Sequence, residues 1–271
     1  MDPRDFALLL DRFALSAEGY RKVRRGVQKR IVRHMQQLGC PAMRAYLERL
    51  DRDRDAERDA RRLMDVSISR FFRDGELWQA LETEILPALA AGRPAGLRIW
   101  SAGCALGQEV YSIKMLWALL SEKVPFMPPL RLLATDVNPS TLQRAIEGVY
   151  PARAVAQVPA EARARYFRHA GKGSVRIADE LKQGIDWQVH DLAAGLTPAR
   201  DFDIVFLRNN LLTYYRKEIV EAALPAVGDS LKPGGFLVIG RKERLPAFPE
   251  GFASHPSVPC LHRKRQTSGL A

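Results

Sequence analysis

The chain has 271 residues, 46% of them hydrophobic and 27% charged, which is length enough to bury a sizeable core and too ordinary a composition for a disordered or collagen-like chain. Lys and Arg number 42 against 31 Asp and Glu, and the resulting net charge of +11 favours acidic partners: nucleic acid, an anionic membrane or an acidic protein surface. No apolar run approaches the roughly 20 residues that cross a bilayer, and the opening Met1-Asp2-Pro3-Arg4-Asp5 is wrong for a signal peptide, so a cytoplasmic protein without membrane insertion is expected. Cys40, Cys104 and Cys260 are widely spaced and form no C-x-x-C pair, which predicts neither a disulfide framework nor a metal site.

Residues 1–64 read as an all-helical domain. Within 20–38, Val23, Val27, Ile31, Met35 and Leu38 recur every three or four positions, the stripe of one amphipathic helix. Arg21, Lys22, Arg24, Arg25, Lys29, Arg30 and Arg33 crowd its other faces, as either a solvated face or a docking surface for something acidic. Charge of alternating sign over 50–62 marks exposed helix or linker. Residues 65–93 read as a linker followed by a helix over about 75–89, with Ser67 and Ser69 breaking the helical rhythm before Phe71-Phe72-Arg73.

From residue 94 to 271 the pattern changes to short β-rich apolar runs, at 97–100, 130–134, 185–189, 204–207 and 236–239, separated by helical stretches. Strands alternating with helices predict a mostly parallel sheet in an α/β domain. Val175-Arg176-Ile177 beside Gly171-Lys172-Gly173 predicts a small β-hairpin insertion over about 166–183, and Lys232-Pro233-Gly234-Gly235 a turn before the last strand. The tail from 263 to 271 is polar and expected to be loose.

The polar residues gather at strand ends. After the first strand, Ser101-Ala102-Gly103-Cys104-Ala105-Leu106-Gly107-Gln108-Glu109 places glycines between strand and helix, where a ligand can approach the backbone closely; a plain tight turn reads the same way. The second strand ends in Ala134-Thr135-Asp136. An acid at that edge accepts the hydroxyls of a ribose, so with the glycine loop it points to a nucleoside cofactor, although Asp136 as a helix N-cap before Pro139 is an equal alternative. His190-Asp191-Leu192 and Arg208-Asn209-Asn210 stand at the next two strand ends.

Together, Ser69-Arg70-Phe71-Phe72-Arg73, Ser101-Ala102-Gly103-Cys104, Gly107-Gln108-Glu109-Val110-Tyr111-Ser112, Ala134-Thr135-Asp136, Gly148-Val149-Tyr150, Arg208-Asn209 and Pro233-Gly234-Gly235 resemble, in order along nearly the whole chain, the CheR family of chemotaxis-receptor methyltransferases. The resemblance implies an α/β fold, the Rossmann-like seven-stranded sheet of S-adenosylmethionine-dependent methyltransferases behind an all-helical N-terminal domain. It implies methyl transfer from S-adenosylmethionine to glutamate carboxylates of membrane receptors, with S-adenosylhomocysteine as product. By motif position, Ser67, Ser69 and Arg73 close over the cofactor, with Gly103 in its loop. Glu109 binds its amino acid end, Asp136 holds the ribose, and Asp191, Leu192, Arg208 and Asn209 contact its adenosine or methionine parts. Arg73 and Tyr214 are implied as the pair that orients methyl donor and accepting carboxylate.

Several motifs depart from the family pattern. Ser67 and Ser69 stand where Asn and Thr are usual, and G-E-E-P-Y-S becomes Gly107-Gln108-Glu109-Val110-Tyr111-Ser112, which neutralises the first acid and keeps the second. The motif after the fourth strand is one residue longer, so its tyrosine falls on Thr213 or Tyr214, and the downstream spacing to Pro233 selects Tyr214. G-H-S-E becomes Gly240-Arg241-Lys242-Glu243, adding two positive charges. A carboxylate is ionised near neutral pH and needs no general base to attack a sulfonium methyl, so alignment is the protein's task.

The acceptor expected is an acidic protein such as a receptor helix, or else a small carboxylate taken by the same fold. A catalytically silent cofactor-binding module is a further alternative, against which Arg73, Glu109 and Asp136 argue. A nucleic acid acceptor is not expected, because Arg208-Asn209-Asn210 replaces the Asn/Asp-Pro-Pro-aromatic motif of amine methylation. No heptad stripe sets an oligomeric state.

Overall fold

The computed structural model describes residues 1–67, 69–246 and 251–266. Its compact units are two: Met1–Ser67 with Thr213–Val220, and the described residues of Ile68–Leu212 and Glu221–Ala271.

The first unit is built from α1 (Pro3–Arg12), α2 (Ala17–Tyr20), α3 (Arg24–Gln37), α4 (Met43–Arg52) and α5 (Arg54–Met64). Asp2, Ser16 and Asp53 accept hydrogen bonds from the first-turn amides of α1, α2 and α5, so these short helices start on side-chain caps. Phe6, Leu9, Leu10, Tyr20, Val27, Ile31, Tyr46, Leu50 and Met64 form its core. The single helix expected over 20–38 is divided. Tyr20 ends α2 with its hydroxyl donating to Met64 O at 2.8 Å, and α3 starts only at Arg24. Val27 and Ile31 are buried, while Val23, Met35 and Leu38 pack half-exposed against the same core. Of the basic residues, Arg24 lies over the Phe6 ring and Arg30 donates to the Leu63 and Asp65 carbonyls. Arg21, Lys22, Arg25, Lys29 and Arg33 are exposed.

The 213–220 segment is tied into this unit through its backbone: Ser16 N donates to Tyr214 O at 2.8 Å, and Arg216 N to Ala14 O at 3.0 Å. A Cβ on Gly19 would lie 2.0 Å from Thr213 O, so only glycine allows this approach.

The second unit opens with α6 (Gly75–Ala80), a π turn (Leu81–Ile85) and α7 (Leu86–Gly92), one continuous helical stretch. Then follow β1 (Leu97–Ala102), α8 (Gln108–Lys123), β2 (Leu130–Asp136), α9 (Pro139–Glu147), β3 (Val149–Pro151), α10 (Ala160–Tyr166), β4 (Phe167–His169), β5 (Ser174–Ile177), β6 (Ile185–Val189) and β7 (Phe202–Leu207). The chain then forms α11 (Leu211–Tyr214) and α12 (Lys217–Asp229), whose residues 213–220 are counted with the first unit, and returns with β8 (Leu231–Ile239), β9 (Phe252–Ser254) and β10 (Leu261–Lys264).

The main sheet has seven strands in the order β6-β2-β1-β7-β8-β10-β9. The first five run parallel, and β10 and β9 close the edge antiparallel. This is the Rossmann-like α/β fold. The chain leaves β1 towards β2 on one side while β7 lies on the other, and a ligand crevice forms at the carboxyl ends of strands where the order reverses in this way. Every residue of β7 is buried, as a central strand covered on both faces requires.

Three local expectations change. The expected hairpin is a three-stranded antiparallel sheet, β3-β5-β4, with β3 recruited from 149–151. The Lys232–Gly235 turn lies within β8, where the register with β7 shifts between Phe202 and Ile204. The tail is strand to Lys264, paired with β8, and residues 267–271 lie outside the described residues.

Asp203 of β7 is fully buried. It accepts from Arg93 Nε at 3.1 Å, Lys232 Nζ at 3.0 Å and Arg98 N at 2.9 Å, joining α7, β1 and β8 around one carboxylate. Asp203→Ala strands two cations and an amide. Because Arg93 and Lys232 keep some solvent, the expected loss is about 2–3 kcal/mol, read as a lower urea midpoint at unchanged m-value.

Candidate active site

The carboxyl edge of β1 and β2 is shaped by backbone. Gly103 N and Cys104 N both donate to Thr135 O, at 2.9 and 2.8 Å, which folds the loop after β1 back on the end of β2. Gly103 has φ +79°, and a Cβ there would stand 1.8 Å from Asn210 Nδ2. Gly107, at φ +81°, is the N-cap of α8 and makes no side-chain cap, leaving the first amides of that helix facing the edge. Cys104 is buried in this loop and burial pushes its thiol up, which keeps it protonated and unreactive.

Asp136 ends β2 with 8% of its surface exposed. One carboxylate oxygen accepts from Ala105 N at 2.9 Å and the other from Asn138 N at 3.0 Å. The N-cap of α9 is Asn138, whose side chain accepts from Ser140 N and Thr141 N, so Asp136 is not the cap. Each Asp136 oxygen keeps a lone pair for a further donor. Burial raises its pKa above the ordinary carboxylate value, against the opposing pull of the two amides.

A buried ion cluster lies at the ends of β1 and β7. Arg208, its side chain 4% exposed, pairs with Asp74 at 2.6 Å and Glu109 at 3.1 Å. Glu109 also accepts from Ser101 Oγ at 2.7 Å, and Arg208 donates a further bond to Arg73 O at 3.0 Å. With two carboxylates on one guanidinium the cluster carries an uncompensated negative charge. Arg208 Nε, Gln108 Oε1 and His190 Nε2 are buried with no protein partner among the described residues.

Arg73 lies between two residues in the left-handed region, Phe72 at φ +46° and Asp74 at φ +65°. Such non-glycine residues cost about 1–3 kcal/mol each and persist only where their surroundings hold them. Here Phe72 N donates to Ser112 Oγ at 3.0 Å, and Trp78 Nε1 to Arg73 O at 2.8 Å. The Arg73 side chain is half-buried, and among the described residues its guanidinium makes no ion pair.

The remaining residues are distributed as follows. Ser69 is half-buried at the start of this segment. Asp191 accepts from Ala193 N at 2.9 Å, with Leu192 buried beside it. Asn209 is left-handed at φ +53°, and its amide donates to Glu243 Oε2 at 2.8 Å, the oxygen that also accepts from Gly240 N at 2.6 Å. Glu243 therefore ties the ends of β7 and β8 together. Ser67 and Tyr214 fall in the helical unit, where the Tyr214 ring packs edge-on against Tyr20 at 5.3 Å. Asp74, Ser101, Ser112 and Glu243 were not singled out from sequence as site residues. Asp74-Gly75 carries a turn signal, but its ion pair is to a residue far along the chain.

A glycine cradle, a buried acid at the end of β2, a net negative cluster and a buried orphan donor fit one class of ligand: a nucleoside that also carries positive charge and a carboxylate. The fold and this edge define an S-adenosylmethionine-dependent methyltransferase. Residues 67–259 match the CheR methyltransferase, SAM binding domain, and the chain belongs to that family. It is 34% identical over 229 residues to an uncharacterized 104.1 kDa protein of Rhodobacter capsulatus, covering 84% of this chain and only 24% of that one. A chemotaxis protein methyltransferase of Vibrio cholerae is 30% identical over 74% of this chain and 73% of its own length. One of Listeria innocua is 32% identical over 68% and 67%. Among solved structures, the N-methyltransferase NodS of Bradyrhizobium japonicum, in complex with S-adenosylhomocysteine, is 20% identical with a TM-score of 0.32, covering 62% of this chain and 63% of that one.

Gly103→Ala is expected to lose S-adenosylhomocysteine binding by about tenfold or more in calorimetry, since the methyl group displaces Asn210 and strains the loop at positive φ.

Proposed function

We propose that the chain methylates glutamate side chains of an acidic, chemoreceptor-type protein, forming carboxyl methyl esters. The observation that carries this reading is Arg73, a half-buried guanidinium without an ion pair among the described residues, presented on a strained segment whose carbonyl is bound by the Arg208 of the ion cluster. An unengaged guanidinium suits a carboxylate as bidentate partner. The names of the Vibrio and Listeria relatives, and the exposed basic residues of α3, support an acidic receptor as the source of that carboxylate.

The bound cofactor supplies an electrophilic methyl on a sulfonium. In this reading Asp136 accepts the ribose hydroxyls, Glu109 and Arg208 hold the amino acid end, and Gly103, Ser69, Asp191, Leu192 and Asn209 line the remainder. Arg73 orients the accepting oxygen in line with the methyl group. No proton moves, because the acceptor is already ionised. Roles for Ser67 and Tyr214 stand on the family resemblance alone.

The test is transfer of labelled methyl from S-adenosylmethionine into bacterial membranes bearing chemoreceptors, followed by alkali. Methanol released from a membrane protein is the expected result; label confined to small molecules makes the acceptor a small carboxylate, and alkali-stable label overturns the carboxylate reading. Arg73→Ala is expected to lower kcat/KM about 100-fold, about 2.7 kcal/mol of transition-state stabilisation, with the melting temperature nearly unchanged.

Asp136 gives a pH signature. Its raised pKa means that it takes up a proton while ordinary carboxylates are still ionised. Affinity for S-adenosylhomocysteine is therefore expected to fall on mild acidification, and Asp136→Asn to bind weakly with that pH dependence removed. In the unliganded protein the sign reverses: a carboxyl that holds its proton more tightly folded than unfolded favours the fold at low pH, and this contribution is lost as pH rises through the folded value.

A further inference from the structure

We propose that Ser112 is a positioning residue for methyl transfer, acting on Arg73 through the main chain of the 71–74 segment; this rests on the carboxylate-orienting role proposed for Arg73. Ser112 is fully buried on α8. Its hydroxyl donates to Gln108 O at 2.8 Å and accepts from Phe72 N at 3.0 Å. The proton is committed to the helix, so the hydroxyl presents only lone pairs to the Phe72 amide, and donation at one side strengthens acceptance at the other.

That amide needs an acceptor of this kind. Phe72 is a bulky residue at φ +46°, a conformation that a free chain abandons. The flanking rings set the segment's position: Phe71 is fully buried, 4.9 Å from the Tyr150 ring and 5.3 Å from that of Phe167, and Phe72 meets Trp78 edge-on at 5.2 Å. Rings do not determine the orientation of a peptide plane; hydrogen bonds do. Ser112 holds the amide of Phe72, in the plane between residues 71 and 72, while Trp78 and Arg208 hold the Arg73 carbonyl, in the plane between residues 73 and 74. The Phe72-Arg73 pair is thus anchored at both of its ends, which restricts where the Arg73 Cα–Cβ bond can point, and for a long side chain with no ion pair among the described residues this is the placement the fold can impose in advance.

Ser112 also stands three residues after Glu109 on the same helix, so the two share a face. The group proposed to hold the methyl donor and the group that sets the origin of the acceptor's arginine are thereby referred to one rigid element. In-line transfer is sensitive to displacements well under an ångström, which makes such a common reference useful.

The test is a double-mutant cycle in the full chain, with Ser112→Ala, Arg73→Ala and the pair assayed for methyl transfer into chemoreceptor-bearing membranes, alongside S-adenosylhomocysteine calorimetry and thermal melts. Expected is a fall of about tenfold in kcat for Ser112→Ala with cofactor affinity retained, and no further loss when it is added to Arg73→Ala. Should Ser112→Ala fail to fold, Ser112→Cys, a weaker acceptor of similar size, replaces it in the same cycle. A loss that multiplies that of Arg73→Ala, or one that appears as weakened cofactor binding, overturns the proposal for Ser112 while leaving Arg73 its role. A wild-type rate for Arg73→Ala alone removes the role of Arg73, and the proposal with it.

Discussion

Arg208 follows β7, a strand buried along its whole length, so its guanidinium must find acceptors inside the protein. It takes Asp74, Glu109 and the Arg73 carbonyl. Through those bonds the segment before α6, the first turn of α8 and the end of β7 become mutually dependent. An unpaired charge in that position would cost several kcal/mol, so each of the three partners is held by the need to satisfy the other groups as much as by its own contacts. The candidate site is built outward from this cation.

Strain collects around the same cluster. Phe72, Asp74, Ala105 and Asn209 are all left-handed without being glycine, and each belongs to a segment tied to another of these elements. Ala105 N reaches Asp136, Asn209 N reaches Glu243, Phe72 N reaches Ser112, and the Asp74 carboxylate reaches Arg208. The backbone is thus bent so that amides and carboxylates face one another across loops, a preorganisation that flexible loops do not achieve at the moment of binding.

The parallel strands were legible because their apolar runs are long and buried, and the strand-end residues because the topology puts them at one edge. Gly103 and Asp136 could be placed at that edge from their position in the sequence, whereas the choice of a cofactor role for them over a plain turn or a helix cap came from the family resemblance. The α2–α3 break was not legible: the apolar stripe of 20–38 runs through it unbroken, and the interruption comes from Tyr20 bonding to Met64, a residue 44 positions away. Nor was the β3 strand, a three-residue segment that acquires its conformation only by pairing with β5. Asp74 escaped for the same reason, and Ser112 and Glu243, though they stand in motifs quoted from the sequence, were given no role. Each is an ordinary polar residue in its own neighbourhood, and its role arises from partners brought together by the fold.

The chain carries a large positive charge, yet its site gathers acids. Asp74, Glu109 and Asp136 are all partly or fully withdrawn from water at the edge where a sulfonium and an ammonium would lie, and Arg208 compensates only part of their charge. The two arginines nearest this edge are treated in opposite ways. Arg208 commits both terminal nitrogens to Asp74, Glu109 and the Arg73 carbonyl and serves as scaffold; Arg73 lends the cluster its carbonyl while its guanidinium stays clear of an ion pair among the described residues. Had Asp74 or Glu109 paired with Arg73 instead, a carboxylate bound there in the proposed role would have had to displace an internal acid. By giving both acids to a buried guanidinium, the fold leaves Arg73 outside the ion cluster, which is what the proposed role of that arginine toward a substrate requires.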